Sequence, residues 1–473
     1  MDKNKELAKN TAIISIGKFC TQFLSFLLLP FYTSILSTAE YGTVDLLVTY
    51  QQLIVYVAFF QIEQAIFRFL VDVRGDKKGI EITVTSCFTF AIFQVTVLGC
   101  VFGLLKCFTN INYIGHLYFY VFAVIIASCM LQVARGLGKN TIYALGSLIA
   151  AVSTICFNIL FLAAFKMGIA GMLKAYILGY SFCTFFVFAS LKIYNYVNLH
   201  SFQKNTLKKC LAYSIPLVPN SLSWWVMSAS DRTVVAFFLG TVFNGLLTVA
   251  HKIPGAYSTF YSVFNLAWTE SAVLHINDPD AESFFANTIQ KMFRLFSAVA
   301  IGIIACLPFV FNILINKNYF DAYYQVPIYM IASLCQVFQG MYSVIYIALK
   351  KTKEVAKSTV ISATINLIVC VVLIKYIGLY AASLSTVVSY LFLCIWRYFD
   401  LKKYIKVNFD IKLLTSTIVM YALVCLGYYS FNRVVQASVL FITIVYCCYI
   451  NRAILMVIIR SPKNIKNIMT GKH

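Results

Sequence analysis

From one end to the other, the chain alternates apolar segments about twenty residues long with short polar loops, and its cations crowd into every second loop. An apolar run of that length crosses the hydrocarbon core of a bilayer as a helix, the form that satisfies every backbone group within the segment. About fourteen such spans are legible, at residues 11–35, 43–63, 82–105, 117–133, 143–165, 170–192, 211–238, 245–270, 292–315, 327–349, 357–375, 381–397, 412–430 and 436–458. The expected fold is therefore an all-α, polytopic membrane protein with little mass outside the bilayer. Any function must reside among the helices.

Composition agrees with this. Hydrophobic residues make up 61% of the chain and charged residues 12%. The mean hydropathy of +0.81 lies far from that of soluble domains. A formal charge of +21 would suit a nucleic-acid binder, but the positions of the cations argue for topology instead. The loops after spans 2, 4, 6, 8, 10 and 12, with both tails, hold most of the 38 cations, among them Arg74, Lys77, Lys78, Arg135, Lys139, Lys204, Lys208, Lys350, Lys353, Arg397, Lys402 and Lys403. The opposite loops hold Lys106, Lys166, Lys317, Lys375 and Arg433. By the positive-inside rule both termini face the cytoplasm. Attraction to anionic lipid headgroups is a secondary effect of these loops, and no nucleic acid is expected as a partner.

The first apolar run is too long for the core of a cleavable signal peptide, so it is expected to remain as span 1. The 15 cysteines lie almost all inside spans, without a Cys-x-x-Cys, and behave there as small apolar residues. The histidines are scattered, with no pair at metal-ligand spacing. Neither disulfides, a metal nor an organic cofactor is expected.

The chain also repeats itself. Leu36 to Gly42, between spans 1 and 2, is echoed by Leu239 to Gly245 between spans 7 and 8, each with Thr and Gly four apart. Thr154-Ile155, Gly168 and Tyr180 recur as Thr364-Ile365, Gly378 and Tyr390, in the same order and at nearly the same offset. Six crossings return the chain to its starting side, so two such halves form a parallel repeat about an axis along the membrane normal. The expected domains are an N-lobe at residues 1–192, an inter-lobe linker at 193–210, a C-lobe at 211–400, and two extra helices with a tail at 401–473.

Charges at depth in a bilayer are costly and usually line a cavity or find a partner. Lys18 sits on a stripe with Ser15, Gln22 and Ser25, and either faces a lumen or snorkels to the headgroups. Asp45, Thr49 and Gln52 form a second stripe, in which Asp45 either lines a cavity or caps its helix. Glu63, Gln64 and Arg68 close span 2, where Glu63 and Arg68 are inner-gate candidates or a surface pair. Span 7 carries Pro216, Pro219, Asn220, Trp224, Asp231 and Arg232; span 8 carries His251, Lys252, Trp268 and Glu270. Asp231 and Lys252 lie at one depth, as an ion pair locking the hairpin or as cavity residues. Lys174 is expected to snorkel. Pro216 and Pro219 free backbone carbonyls and are hinge candidates, and Glu270 is a third inner-gate candidate. The outer loops are too short for a catalytic domain, and there is no phosphate loop, His-Glu-x-x-His or Gly-x-Ser-x-Gly. A transporter fits the pattern, not an enzyme.

Several stretches resemble the Wzx-type polysaccharide-unit (O-antigen) flippases, in the superfamily that also holds multidrug/toxin extruders and lipid II flippases. They are Thr38-Ala39-Glu40-Tyr41-Gly42, Ile62 to Phe69, Arg135-Gly136 with Lys139, Ile215 to Asn220 followed by Trp225 and Ser230-Asp231-Arg232, and Asn366 with Ile377 to Ala382. Where many relatives have Pro after the span 8 Trp, this chain has Thr269-Glu270, which leaves a bend there open. The resemblance implies translocation of undecaprenyl-diphosphate-linked oligosaccharide from the inner to the outer leaflet by alternating access, for capsule, exopolysaccharide or O-antigen assembly. It also implies a polysaccharide polymerase as a partner in the pathway. A lumen of Lys18, Arg232 and Lys252 would neutralise the diphosphate, with Asp231 or Asp45 balancing that charge or carrying a coupled proton; the coupling ion, H+ or Na+, stays open. Gln22, Gln52, Asn220 and Trp224 complete the lumen candidates. The rival readings are a multidrug/cation antiporter of the same fold and a membrane-embedded polymerase or acyltransferase.

Overall fold

The structure, a computed structural model, describes residues 28–109, 112–405, 410–452 and 456. No strand occurs among them. The sequence spans fall on helices α1 (Leu29–Ile35), α2 (Thr38–Ala58), α3 (Ile62–Asp72), α4 (Lys77–Phe108), α5 (Ile114–Gly136), α6 (Asn140–Ile159) and α7 (Gly168–Leu191). They continue in α8 (Lys204–Ser214), α9 (Val218–Phe238), α10 (Thr241–His275), α11 (Ala281–Leu314), α12 (Val326–Ala348), α13 (Thr352–Ile377), α14 (Tyr380–Leu401), α15 (Ile411–Tyr429) and α16 (Arg433–Ile450).

Among the described residues ten helices are long and apolar enough to cross a membrane, or eleven when α2 and α3, bent by 55° at their junction, count as one broken span. Two more, α9 and α10, have 21 and 35 residues but are less apolar, because Asp231, Arg232, His251, Lys252 and Glu270 sit on them. The polytopic all-α fold is as the sequence implies. Most of span 1, with Lys18 and Gln22, lies outside the described residues.

Span 2 is not a single helix. Phe60 and Gln61 take left-handed φ values of 49° and 53°, a conformation that non-glycine residues adopt only where packing compels it. Phe59 and Ile62, either side of the break, are fully buried. Conversely α10 runs unbroken through Thr269-Glu270 and contains Pro254. Pro216 and Pro219 stand in the first turns of a short 3-10 segment and of α9, within a helical run that continues from 204 to 238.

The chain divides into two compact units, residues 1–252 with 359–385, and residues 253–358 with 386–473. The boundaries fall inside α10, α13 and α14. In the first unit α5, α6 and α7 pack together, and α3 packs on α5 and α8. Its core includes Ile62, Ile66, Leu70, Cys87, Val121, Ile125, Cys129 and Val133. The buried cysteines thus serve as small apolar residues, and all described cysteines are free.

In the second unit α11 packs against α12, α15 and α16. Tyr323 and Tyr428 stack with ring centroids 4.0 Å apart. Each hydroxyl donates to the other's backbone carbonyl, at 3.0 and 2.8 Å, which fastens α15 to the segment preceding α12. Arg397, grouped with the loop cations by its place in the sequence, is fully buried inside α14. Its guanidinium donates to the Gln339 and Ser343 side chains, to Ser358 Oγ and to the Val355 carbonyl. At the same end of α14, Asp400 accepts from Tyr346 Oη and Lys403 Nζ, both at 2.7 Å. That contact holds the Lys403 ammonium above its ordinary pKa.

Candidate functional site

Charged groups gather where α2 packs on α9. The start of α2 is fixed by a reciprocal cap. Ser37 Oγ accepts from the Glu40 amide at 3.3 Å, and Glu40 Oε2 accepts from the Ser37 amide at 2.9 Å. Asp45 is therefore not needed as a cap. It sits two turns into the helix, and its Oδ2 lies 2.7 Å from Arg232 Nε of α9, with the side chains 17% and 18% exposed. Both had been singled out separately in the sequence; the structure brings them together as a partner pair. Arg232 Nη1 also donates to the Ser228 carbonyl at 3.1 Å, so the guanidinium is held from two sides.

Asp231 points elsewhere. Its side chain is 4% exposed, and its Oδ2 lies 3.2 Å from His251 Nε2 of α10. Its Oδ1 accepts from the Arg232 amide at 2.9 Å. The Asp231–Lys252 ion pair weighed from the sequence is not formed. Successive residues of a helix project about 100° apart, so the turn that brings His251 onto Asp231 carries Lys252 to another face. Lys252 is half-buried.

Polar threads fasten the same helices above and below this cluster. Trp225 Nε1 donates to the Thr49 carbonyl at 3.1 Å, Asn244 Nδ2 donates to the Gly42 carbonyl at 2.7 Å, and Gln61 at the span 2 break bonds Ser221. Trp225, Asn244 and Gln61 were not singled out as site residues. No periodicity marks them, since each acts by a single bond to a partner far away in sequence. Trp224 is half-buried, while Gln52 and Asn220 are exposed.

The inner-gate candidates separate. Arg68 pairs with Asp72 at 2.5 Å, with side chains 48% and 54% exposed. Positions i and i+4 share a helix face, whereas Glu63 and Arg68, five apart, do not. Glu63 is buried, and its Oε2 has no hydrogen-bond partner. Glu270 is exposed on α10 in the other unit. Among the described residues no group of three His, Cys, Asp or Glu side chains could hold a metal.

The geometry can hold opposite charges in register inside an apolar helix bundle. Residues 7–269, more than half of the chain, match the family described as "Polysaccharide biosynthesis protein". No curated protein sequence matches the chain. Among solved structures, the lipid II flippase MurJ in an inward closed conformation superposes with a TM-score of 0.69 at 14% identity, covering 93% of this chain and 99% of that one. An inward-facing multidrug resistance transporter of the MATE family superposes with a TM-score of 0.66 at 15% identity, covering 82% and 98%. At such identity the two likenesses establish a common fold. The match over residues 7–269 adds the family: the chain belongs to the polysaccharide biosynthesis protein family.

Proposed function

We propose that this protein translocates an undecaprenyl-diphosphate-linked oligosaccharide unit from the cytoplasmic to the outer leaflet of the bacterial inner membrane, both termini being cytoplasmic. The observation that carries this reading is the Asp45–Arg232 pair beside Asp231–His251, on spans otherwise made of apolar residues. Such charges are costly in lipid and are kept where a polar cargo passes. A diphosphate and hydrated sugars cannot enter hydrocarbon unaided, so the cargo's headgroup needs shelter among the helices while its isoprenoid tail stays in lipid. Arg232 is the residue best suited to exchange its carboxylate partner for a diphosphate, because its fork of N–H donors matches either group. Lys18 and Lys252 would add charge, and lobes 1–6 and 7–12 would alternate in access, with Pro216 and Pro219 at the hinge. A proton or sodium gradient would supply the direction, and the exported units would pass to a polymerase. Family membership, in proteins of polysaccharide biosynthesis, supports this reading over drug export.

The test is the sidedness of lipid-linked oligosaccharide in a strain lacking the gene, read with a glycosidase confined to the outer face. Units trapped inside, released by the intact gene but not by Arg232→Ala at equal protein level, are expected. Normal delivery to the outer face in the deletion strain, with gained drug sensitivity, would move the assignment to a drug antiporter.

A further inference from the structure

A second site lies away from this cluster, at the ends of α3, α5 and α7 in the first unit. A cavity of about 560 Å³ opens there, lined by Arg74, Lys77 and Lys139 from two separate loops and by Tyr196 beyond α7. Its volume falls within the ~300–1,000 Å³ of small-ligand pockets. We propose that it binds the phosphate of an anionic phospholipid headgroup.

Three observations converge on an anion. None of the three cations lies within ion-pairing distance of a carboxylate among the described residues. The nearby acids are engaged elsewhere: Asp76 caps α4 by accepting from the Lys78 amide at 3.0 Å, and Glu81, one turn on from Lys77, accepts from Ser201. Arg74 is not free to swing away. Its Nε donates to the Gly136 carbonyl at 2.6 Å and its Nη2 to the Arg135 carbonyl at 3.1 Å. That fixes the guanidinium at the cavity rim with donors to spare. Finally, α6 begins at the cavity with Lys139 as its N-cap and no side-chain cap, so its first amides add positive potential to the cations.

The remaining walls argue for an amphiphile over a free ion. Ile80, Leu137, Ile142 and Leu191 line the cavity beside the cations. One turn deeper along α6 and α7, Leu145 and Phe188 are 45% and 38% exposed, an apolar track for an acyl chain. A phosphate on the rim with hydrocarbon running inward is the shape of a lipid in its own leaflet, and basic pockets between membrane helices recognise anionic headgroups in this way. The inference does not depend on what the protein transports.

The experiment uses the full-length protein and the variant Lys77→Gln with Lys139→Gln, which spares the Arg74 contacts. Native mass spectrometry would compare retention of phosphatidylglycerol and phosphatidylcholine. The wild type is expected to prefer phosphatidylglycerol, and the double variant to lose about tenfold or more of that preference. A photoreactive phosphatidylglycerol on the wild type alone should label residues 137–142 and 190–196, which keeps the test valid if the variant misfolds. In a parallel arm, inorganic phosphate is added to protein in pure phosphatidylcholine. Thermal stabilisation by phosphate, lost in the variant, would assign the site to a soluble phosphate and overturn the lipid. Equal retention of both lipids, or labelling spread evenly over the protein, would overturn the site altogether.

Discussion

Gly42 of α2 and Gly245 of α10 face each other across a contact with no room for a side chain. A Cβ on Gly42 would come within 2.0 Å of the Thr241 carbonyl oxygen, and one on Gly245 within 2.0 Å of the Thr38 carbonyl oxygen. The contact is reciprocal: the glycine of each turn presses on the threonine four residues before the other. These are the two echoed turns of the sequence, and they meet here through equivalent residues. The second echo has a structural counterpart as well, because Gly168 and Gly378 share left-handed φ values of 55° and 57°.

Alanine at Gly42 or Gly245 should therefore destabilise the protein by about 1–3 kcal/mol or more, since backbone must move to admit it. The double substitution should cost less than the sum, because both relieve themselves through one shared contact. Alanine at Gly103, with nothing within 4 Å of its position, is the tolerated control. Thermal unfolding in detergent, followed by reaction of the buried thiols, reads all three.

The Asp45–Arg232 pair makes its own prediction. Removing either partner breaks the ion pair, which should cost about 2 kcal/mol after allowing for its partial exposure. Asp45→Asn with Arg232→Gln should recover much of that stability without recovering transport. A coupling energy below about 0.5 kcal/mol in the double-mutant cycle would mean the pair is incidental.

At Asp231 the partner is a histidine, and the two substitutions that matter differ in one donor. His251→Gln can still donate to the carboxylate, whereas His251→Leu withdraws that donor from a group with almost no access to solvent. The second variant should be less stable than the first by about 1–3 kcal/mol. Equal stabilities would show that other groups satisfy Asp231.

Helix positions and the residues of the charged cluster were legible in the sequence, because apolar runs and rare intramembrane charges are local signals. Partnership was not. Asp231 could be matched by depth to Lys252, but the choice of His251 turns on helix phase at a contact that depth alone does not fix. The break at Phe60-Gln61 carries neither Gly nor Pro; tertiary packing at Phe59 and Ile62 imposes it. Arg397 was miscounted for a similar reason. A cation near a span's end looks like a loop residue until the polar side chains of neighbouring helices are seen to surround it.

Arg68 and Asp72 offer a contrasting case. An exposed i,i+4 pair screened by solvent adds little to stability, so Arg68→Ala should leave stability nearly unchanged. A loss of transport at normal protein level would then point to a role in gating the inner end. Unchanged transport would leave the pair as a surface contact.

Arg397 should behave in the opposite way. Its donors are spread over Gln339, Ser343, Ser358 and the Val355 carbonyl, so one side chain joins α12, α13 and α14. Lysine keeps the charge but has one compact ammonium in place of a planar fork, and cannot reach acceptors on both sides. Arg397→Lys should therefore cost about 2–3 kcal/mol, close to the loss in Arg397→Ala, because either change strands buried acceptors. Arg397→Met, with Gln339, Ser343 and Ser358 made apolar in the same protein, should restore most of it, since a buried polar network whose side chains are all exchanged for apolar ones loses little. If lysine alone proved as stable as arginine, charge rather than the geometry of the fork would be what this position supplies.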